Sequence, residues 1–203
     1  MKRLLGISTG LLAIALTLLG CAYHPQLTNG WVSLFDGTNL NNWNRVGNAN
    51  WRLQAGVVQA DSSDGTGSGF LVTKNSYKDF DLRVEFWASD DANSGIYMRC
   101  ANPKKITDRT CYEAQIFDQR PDPSYGTGAI MHHAQVNLRV RPLPKAGGKW
   151  NLYEITAIGP EITVKLNGNP TAHWRDSQFA SGPIALQWGR GIVKFRKVEI
   201  KPL

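Results

Sequence analysis

Three short stretches of this chain place chemically capable side chains at every second position. They are Arg83-x-Glu85-x-Trp87, Tyr97-x-Arg99 and Glu113-x-Gln115. A strand turns alternate residues to the same face, so each set shares one side of a sheet. Carboxylates can move protons, and guanidinium and amide groups can hold hydroxyls or a developing oxyanion. Aromatic rings such as Trp87 offer a platform for the C–H face of a sugar. A curved sheet cradling a polyol would need this mixture. The alternative is a solvated sheet face laced with Arg–Glu pairs, such as Arg99 with Glu113 or Glu85, which are worth little. Further candidates lie nearby. Asn93-Ser94-Gly95 opens a strand, Asp118 follows one, and His132-His133 sits in a loop. Each also reads as ordinary turn chemistry. The adjacent histidines lack ligand spacing, so neither a metal nor another cofactor is expected.

The elements that must position these residues are strands. Residues 80–88 alternate, with Phe80, Leu82, Val84 and Phe86 opposing Asp81, Arg83, Glu85 and Trp87. That is the period-two pattern of a half-buried strand. Further strand-like runs occur at 31–35, 57–60, 96–99, 112–116, 150–158, 161–166, 183–187 and 192–200. Ile158-Gly159-Pro160 reads as the turn of a hairpin over 150–166, and Asn167-Gly168-Asn169 marks another turn, with the next strand after a longer loop. Twenty Gly, ten Pro and seven Trp, with no sustained helical period, argue against a bundle. The expectation is all-β, a two-sheet antiparallel sandwich or jelly roll.

The N-terminus is a different kind of segment. Lys2 and Arg3 precede an apolar run from Leu4 to Leu19, and Leu18-Leu19-Gly20-Cys21 resembles a bacterial lipobox. The resemblance implies a signal peptide over 1–20, lipid on Cys21 and a tether over 21–30, leaving one domain over 31–203. Cleavage leaves 183 of the 203 residues, and loss of Lys2 and Arg3 takes the net charge from +7 to +5. Ala22 in place of Asp favours the outer membrane, facing the periplasm. Cys100 and Cys111 remain as an even pair in an oxidising compartment and read as a disulfide. The basic residues form isolated pairs, Lys104-Lys105 and Arg139-x-Arg141, so no nucleic-acid partner is expected.

Phrases along the whole of 31–203 resemble the 3-keto-disaccharide hydrolase family, formerly domain of unknown function 1080. They are Val32-Ser-Leu-Phe-Asp-Gly37, Phe80-Asp-Leu-Arg-Val-Glu-Phe86, Asn93-Ser-Gly-Ile-Tyr-Met-Arg99 and Tyr112-Glu-Ala-Gln-Ile-Phe-Asp118. Thr127-Gly-Ala-Ile130, Trp150-Asn-Leu-Tyr153, Gly182-Pro-Ile-Ala-Leu-Gln187 and Val193-Lys-Phe-Arg196 continue the series. The resemblance implies a concanavalin A-like jelly roll that hydrolyses oxidised disaccharides or glycosides bearing a 3-keto group. It also implies that Asn93, Ser94, Gly95, Arg99, Glu113, Gln115 and Asp118 line a concave site. The tract Met131-His-His-Ala-Gln135 and the loop between Cys100 and Cys111 depart from the family pattern.

The chemistry so implied begins at a ketone, which acidifies the C2 proton beside it. Its removal gives an enediolate that can expel the glycosidic oxygen from C1, after which water adds back. This requires a base, an oxyanion stabiliser and an acid. Glu113 or Asp118 is expected as base, Arg99 with Gln115 as stabilisers, and His132 or His133 as acid. A direct two-carboxylate glycosidase through Glu113 and Asp118 is an alternative. So is a carbohydrate-binding lipoprotein without activity, because fold alone does not decide function.

Overall fold

The computed structural model describes residues 29–139 and 141–203. The leader, Cys21 and most of the tether lie outside the described residues. In chain order the strands are β1 (Val32–Phe35), β2 (Trp43–Val46), β3 (Arg52–Gln54), β4 (Val57–Ala60), β5 (Gly69–Thr73), β6 (Phe80–Ala88) and β7 (Ser94–Met98). They continue with β8 (Tyr112–Ile116), β9 (Trp150–Ile158), β10 (Glu161–Leu166), β11 (Asn169–Arg175), β12 (Ala185–Trp188) and β13 (Val193–Pro202). Between β8 and β9 lies one 3-10 turn, Pro123–Tyr125, capped by the Asp122 carboxylate.

The strands form two antiparallel sheets. One runs β11-β10-β9-β6-β13-β4-β3, with β1 also paired to β13, and the other runs β2-β5-β12-β7-β8. The core lies between them. Phe80, Leu82, Val84 and Phe86 from β6 meet Leu71, Ile96, Met98, Tyr112, Ala114, Ile116 and Leu186 from the smaller sheet. Phe86 stacks on Tyr153 at 5.0 Å between ring centroids. This is the expected jelly-roll sandwich. A bulge between Phe195 and Lys197 shifts the register of β13, so Arg196 and Lys197 are both exposed while Val198 and Ile200 return to the core.

The hairpin over 150–166 forms as the turn residues dictate. The next strand, however, follows at once rather than after a longer loop. Asn167 and Gly168 both adopt positive φ, 52° and 79°, the requirement of a two-residue hairpin turn, and β11 begins at Asn169. β11 is an edge strand with few buried side chains, so it carries no alternating signal.

The two sheets differ in what covers their outer faces. The larger sheet alternates buried and partly exposed residues, so its outer face meets solvent. β5, β7, β8 and β12 are buried at every position. A second, small apolar cluster explains this. Phe70, Val72, Tyr97 and Ala185 point outward and pack with Cys100, Cys111 and Ile106. Cys100 and Cys111 form a disulfide, as the even cysteine pair suggested. The loop it closes is therefore folded onto the sheet through Ile106. Closing a loop of this length stabilises the fold by about 2–3 kcal/mol. The open edge of β8 is covered too. Gly128 N–H donates to the Gln115 carbonyl, Gln115 N–H to that of Ala129 and Met131 N–H to that of Glu113.

Candidate functional site

The outer face of the five-stranded sheet gathers polar groups in one place. Tyr97 on β7 stands directly opposite Glu113 on β8, and Gly95 opposite Gln115. Alternation sends Ile96, Met98, Ala114 and Ile116 into the sandwich and leaves these four on the outside. Gln187 joins them from β12. Its Nε2 donates to the Tyr97 hydroxyl at 3.1 Å and to Ser68 Oγ at 3.2 Å. Glu113 is 3% exposed, Tyr97 3% and Gln187 6%.

The Glu113 carboxyl lies over Gly95. A Cβ at position 95 would sit 2.4 Å from Glu113 Oε1 and 2.9 Å from its Cγ. Gly95 has no positive φ. It serves here by leaving room rather than by adopting an unusual backbone conformation. Burial pushes the Glu113 carboxyl up to about 8, against the opposing pull of a Tyr97 hydrogen bond; the Asp108 charge adds to the rise and Arg120 counters it. Burial likewise drives the Tyr97 phenol well above its ordinary range, and the Glu113 charge adds to this. Two titratable groups in contact, both displaced, are a functional-site signature.

The other sequence candidates go to different places. Gln115 remains on the outer face. Its Oε1 accepts from Ile116 N–H, and among the described residues its Nε2 finds only the Met131 thioether, at 3.7 Å. A thioether is a weak acceptor, so this amide keeps donor capacity. His132 pairs with Asp108 at 2.8 Å, joining the disulfide loop to the segment that covers β8. Asp108 acts electrostatically on Glu113, so this pair belongs to the rim of the same site. His133 packs against Tyr112 and Trp174, whose rings it meets at 5.2 and 5.7 Å. Burial lowers its pKa, and Tyr112 points to the opposite face of β8 from Glu113.

Arg99 does not join Glu113. β7 ends at Met98, and Arg99 adopts a positive φ of 52° that breaks the alternation. Its side chain is 1% exposed, and its guanidinium donates to the carbonyls of Lys78 and Gly159 and to Asp79. These bonds tie β7 to the ends of β6 and β9. Replacing Arg99 by Met should therefore act on stability. It leaves the Lys78 and Gly159 carbonyls without this donor and Asp79 with only the Gly159 N–H, and should cost about 2–4 kcal/mol in denaturant unfolding. A loss below about 1 kcal/mol would show that other groups satisfy them.

Asp118 lies past the end of β8 and works as a loop staple. Its carboxylate accepts from Thr127 Oγ1, Ala146 N–H and Gly147 N–H. Ser94 faces inward, donating to the Gln187 carbonyl at 2.7 Å. Asn93 exchanges backbone hydrogen bonds with the Gly189–Arg190 turn. Trp87 belongs to β6 and thus to the other sheet, where Lys194 lies 4.7 Å from its ring centroid. Arg83 and Glu85 share that distant face, paired with Glu154 and Arg196. The three alternating sets are therefore two separate surfaces. Ion pairing describes the β6 surface, and clustered buried polar groups describe the β7–β8 surface. Gln187 is the member that sequence reading did not single out. Its one signal is a polar residue at the end of an otherwise apolar strand, Pro183-Ile-Ala-Leu-Gln187.

Among the described residues, no group of three or more His, Cys, Asp or Glu side chains is arranged to hold a metal ion. The chemistry open to the cluster is proton transfer by Glu113, with neutral donors from Tyr97, Gln187 and Gln115 around it.

Residues 30–201 match the 3-keto-alpha-glucoside-1,2-lyase-like domain. The chain is 30% identical over 159 residues to a 3-keto-disaccharide hydrolase of Bacteroides thetaiotaomicron, an alignment covering 64% of this chain and 53% of the relative. It thus spans about half the length of that relative. A candidate glycosyl hydrolase of Parabacteroides distasonis superposes with a TM-score of 0.68 at 26% identity, over 86% of this chain and all of the other. A Bacillus licheniformis β-glucanase gives 0.61 at 14% identity, over 87% and 100%, a likeness of fold alone. The family match spans nearly all of the described residues, and the chain belongs to the family of 3-keto-alpha-glucoside-1,2-lyase-like domains.

Proposed function

We propose that this protein cleaves 3-keto-disaccharides or related 3-keto-glycosides, with Glu113 as the base. The observation that carries the reading is the Glu113 carboxyl itself. It is buried beside Tyr97 and Gln187 and holds its proton up to about pH 8, in a chain whose family name implies elimination across C1 and C2 of a 3-keto-glucoside. Burial makes it a stronger base than an ordinary carboxylate once ionised.

The steps follow from the ketone. Glu113 takes the C2 proton, and the C–H electron pair forms the enolate, placing charge on the C3 oxygen. That charge returns to restore the ketone. The C2 electrons then form a C1=C2 double bond, and the C1–oxygen bond breaks. The departing alcohol oxygen takes a proton. Water adds its oxygen to C1 and a hydrogen to C2, which completes a net hydrolysis. In this reading His132, paired with Asp108 at the rim, supplies the leaving-group proton. Ile106, on the loop closed by Cys100 and Cys111, packs with Tyr97 on the outer face, so this loop borders the approach to Glu113. The two-carboxylate alternative is disfavoured, because the Asp118 carboxylate is engaged by Thr127, Ala146 and Gly147. The reading includes a lipid on Cys21 that holds the domain at the bacterial envelope, supported by Leu18-Leu19-Gly20-Cys21.

The test is selectivity. The full chain in detergent is given 3-keto-trehalose and unoxidised trehalose. Cleavage of the keto sugar alone is expected. Cleavage of both would favour a glycosidase, and binding without cleavage a carbohydrate-binding protein.

A further inference from the structure

The mechanism above needs a donor for the enolate oxygen, and Arg99 is committed elsewhere. We infer that Tyr97 is that donor, a catalytic residue of the site, and that Gln187 is the residue that positions it. The inference rests on the keto-glycoside reading and deepens it.

Geometry carries it. Tyr97 and Glu113 are directly opposed partners of the β7–β8 ladder and face the same side. Nε2 of Gln187 carries only hydrogens, so in its 3.1 Å contact with Tyr97 the phenol oxygen is the acceptor. The phenol proton is thereby left to Glu113, which it bonds in the resting site, and it is released to the C3 oxygen as Glu113 takes the C2 proton. Ser68 Oγ takes the second hydrogen of Nε2 at 3.2 Å and fixes the amide plane. The ring is held as well, edge-on to Phe70 at 5.4 Å. Arg120, by contrast, reaches Glu113 only through its charge.

A phenol in this setting is well suited to the task. Burial and the nearby carboxylate keep it protonated, so it remains a neutral donor while Glu113 ionises. Charge that develops on the C3 oxygen is then met by a fixed dipole needing no reorganisation. A second observation points to a ligand. Gln187 Oε1 is buried and has no hydrogen-bond partner among the described residues. A buried acceptor left unpaired is costly, and a sugar hydroxyl beside the ketone is the donor that fits it.

The test separates this inference from its parent. The full chain is given 3-keto-trehalose in D2O, and both cleavage and deuterium entry at C2 are followed. Tyr97→Phe keeps the ring and removes one oxygen. It should lower kcat about 100-fold or more, leave KM within a few-fold, and slow C2 exchange in parallel. Gln187→Met should lower kcat about tenfold in the native background and leave kcat unchanged in Tyr97→Phe, where loss of its contact with the sugar hydroxyl should appear in KM alone. A merely structural Gln187 would give the same loss in both. Cooperative thermal unfolding verifies that each variant is folded, and should Tyr97→Phe fail to fold, 3-fluorotyrosine at position 97 keeps shape and hydroxyl while changing donor strength. An unchanged kcat in that protein overturns the inference, as does Tyr97→Phe at native kcat while Glu113→Gln is inactive. An active Glu113→Gln overturns the assignment of Glu113 as base instead, and a native protein that leaves 3-keto-trehalose uncleaved overturns the keto-glycoside reading.

Discussion

Glu113→Gln should abolish cleavage of 3-keto-trehalose and at the same time make the protein more stable above pH 8. The two effects have one cause. Gln fits the same space over Gly95 and can still bond Tyr97, but it cannot accept a C2 proton. Loss of a general base costs about 100- to 10,000-fold in kcat. The stability effect follows from proton linkage. The folded carboxyl holds its proton up to about 8 and the unfolded one only up to about 4.5. Between those values the folded state binds more protons than the unfolded state, so native stability falls as pH rises through this window and levels off above about 8. The total is of order 3–5 kcal/mol for so deeply buried a group. Glu113→Gln has no proton to lose. Its denaturant midpoint should match the native protein near pH 5 and exceed it near pH 8.5. For the native enzyme, kcat/KM should rise about tenfold per pH unit below pH 8 and flatten beyond it, since the base must be ionised. A native stability independent of pH from 5 to 8 would mean that Glu113 ionises normally, and the case for an activated base would fail.

Much of this arrangement was legible in the sequence, for reasons that also mark where reading stops. Alternation reports which residues share a face of one strand. It separated Phe80, Leu82, Val84 and Phe86 from Trp87 correctly, and it put Tyr97 on one face of β7 and Glu113 with Gln115 on one face of β8. It does not report which sheet a strand joins. β6 pairs with β9 and β13, so Trp87 stands on the far side of the sandwich from Glu113. Alternation also fails where a strand ends. Arg99 is two residues beyond Tyr97, yet its positive φ turns the guanidinium into the carbonyls of Lys78 and Gly159. Asp118 is similar, since five residues past Glu113 it is beyond the ladder and free to staple loops. The pairing of Cys100 with Cys111 was readable from the cysteine count once Cys21 is set aside, whereas the role of the loop it closes depends on Ile106 reaching Phe70 and Tyr97 across the sheet. Edge strand β11 left no hydrophobic pattern because only one side of it has neighbours.

Gly95→Ala should separate the space this site needs from the backbone it needs. In the sequence, a glycine after Asn-Ser suggests a turn or an unusual φ. The backbone at 95 is instead ordinary β-strand, which alanine adopts without strain. The obstacle is one side chain. The new methyl would lie 2.4 Å from Glu113 Oε1, 2.9 Å from Cγ and 3.1 Å from Cδ, so the whole carboxyl arm must move, not only its tip. That arm is buried, with Tyr97 opposite and Gln115 two residues along the same strand. Overpacking of this kind costs about 1–3 kcal/mol. Activity should suffer more than stability, since a base displaced by about 1 Å loses on the order of 100-fold in rate. The sign should reverse when Glu113 is first cut back to Ala. Without the carboxyl there is nothing for the methyl to strike, and Gly95→Ala should then stabilise by about 0.4–1 kcal/mol by restricting the unfolded chain. The double-mutant cycle, read from denaturant unfolding, should show a coupling of about 1.4–4 kcal/mol between positions 95 and 113. Equal costs in the two backgrounds would mean that the glycine serves the strand rather than the carboxyl. The reversal would show Gly95 and Glu113 to be one functional unit, the glycine making a place on a crowded sheet in which a buried carboxyl can take and release a proton.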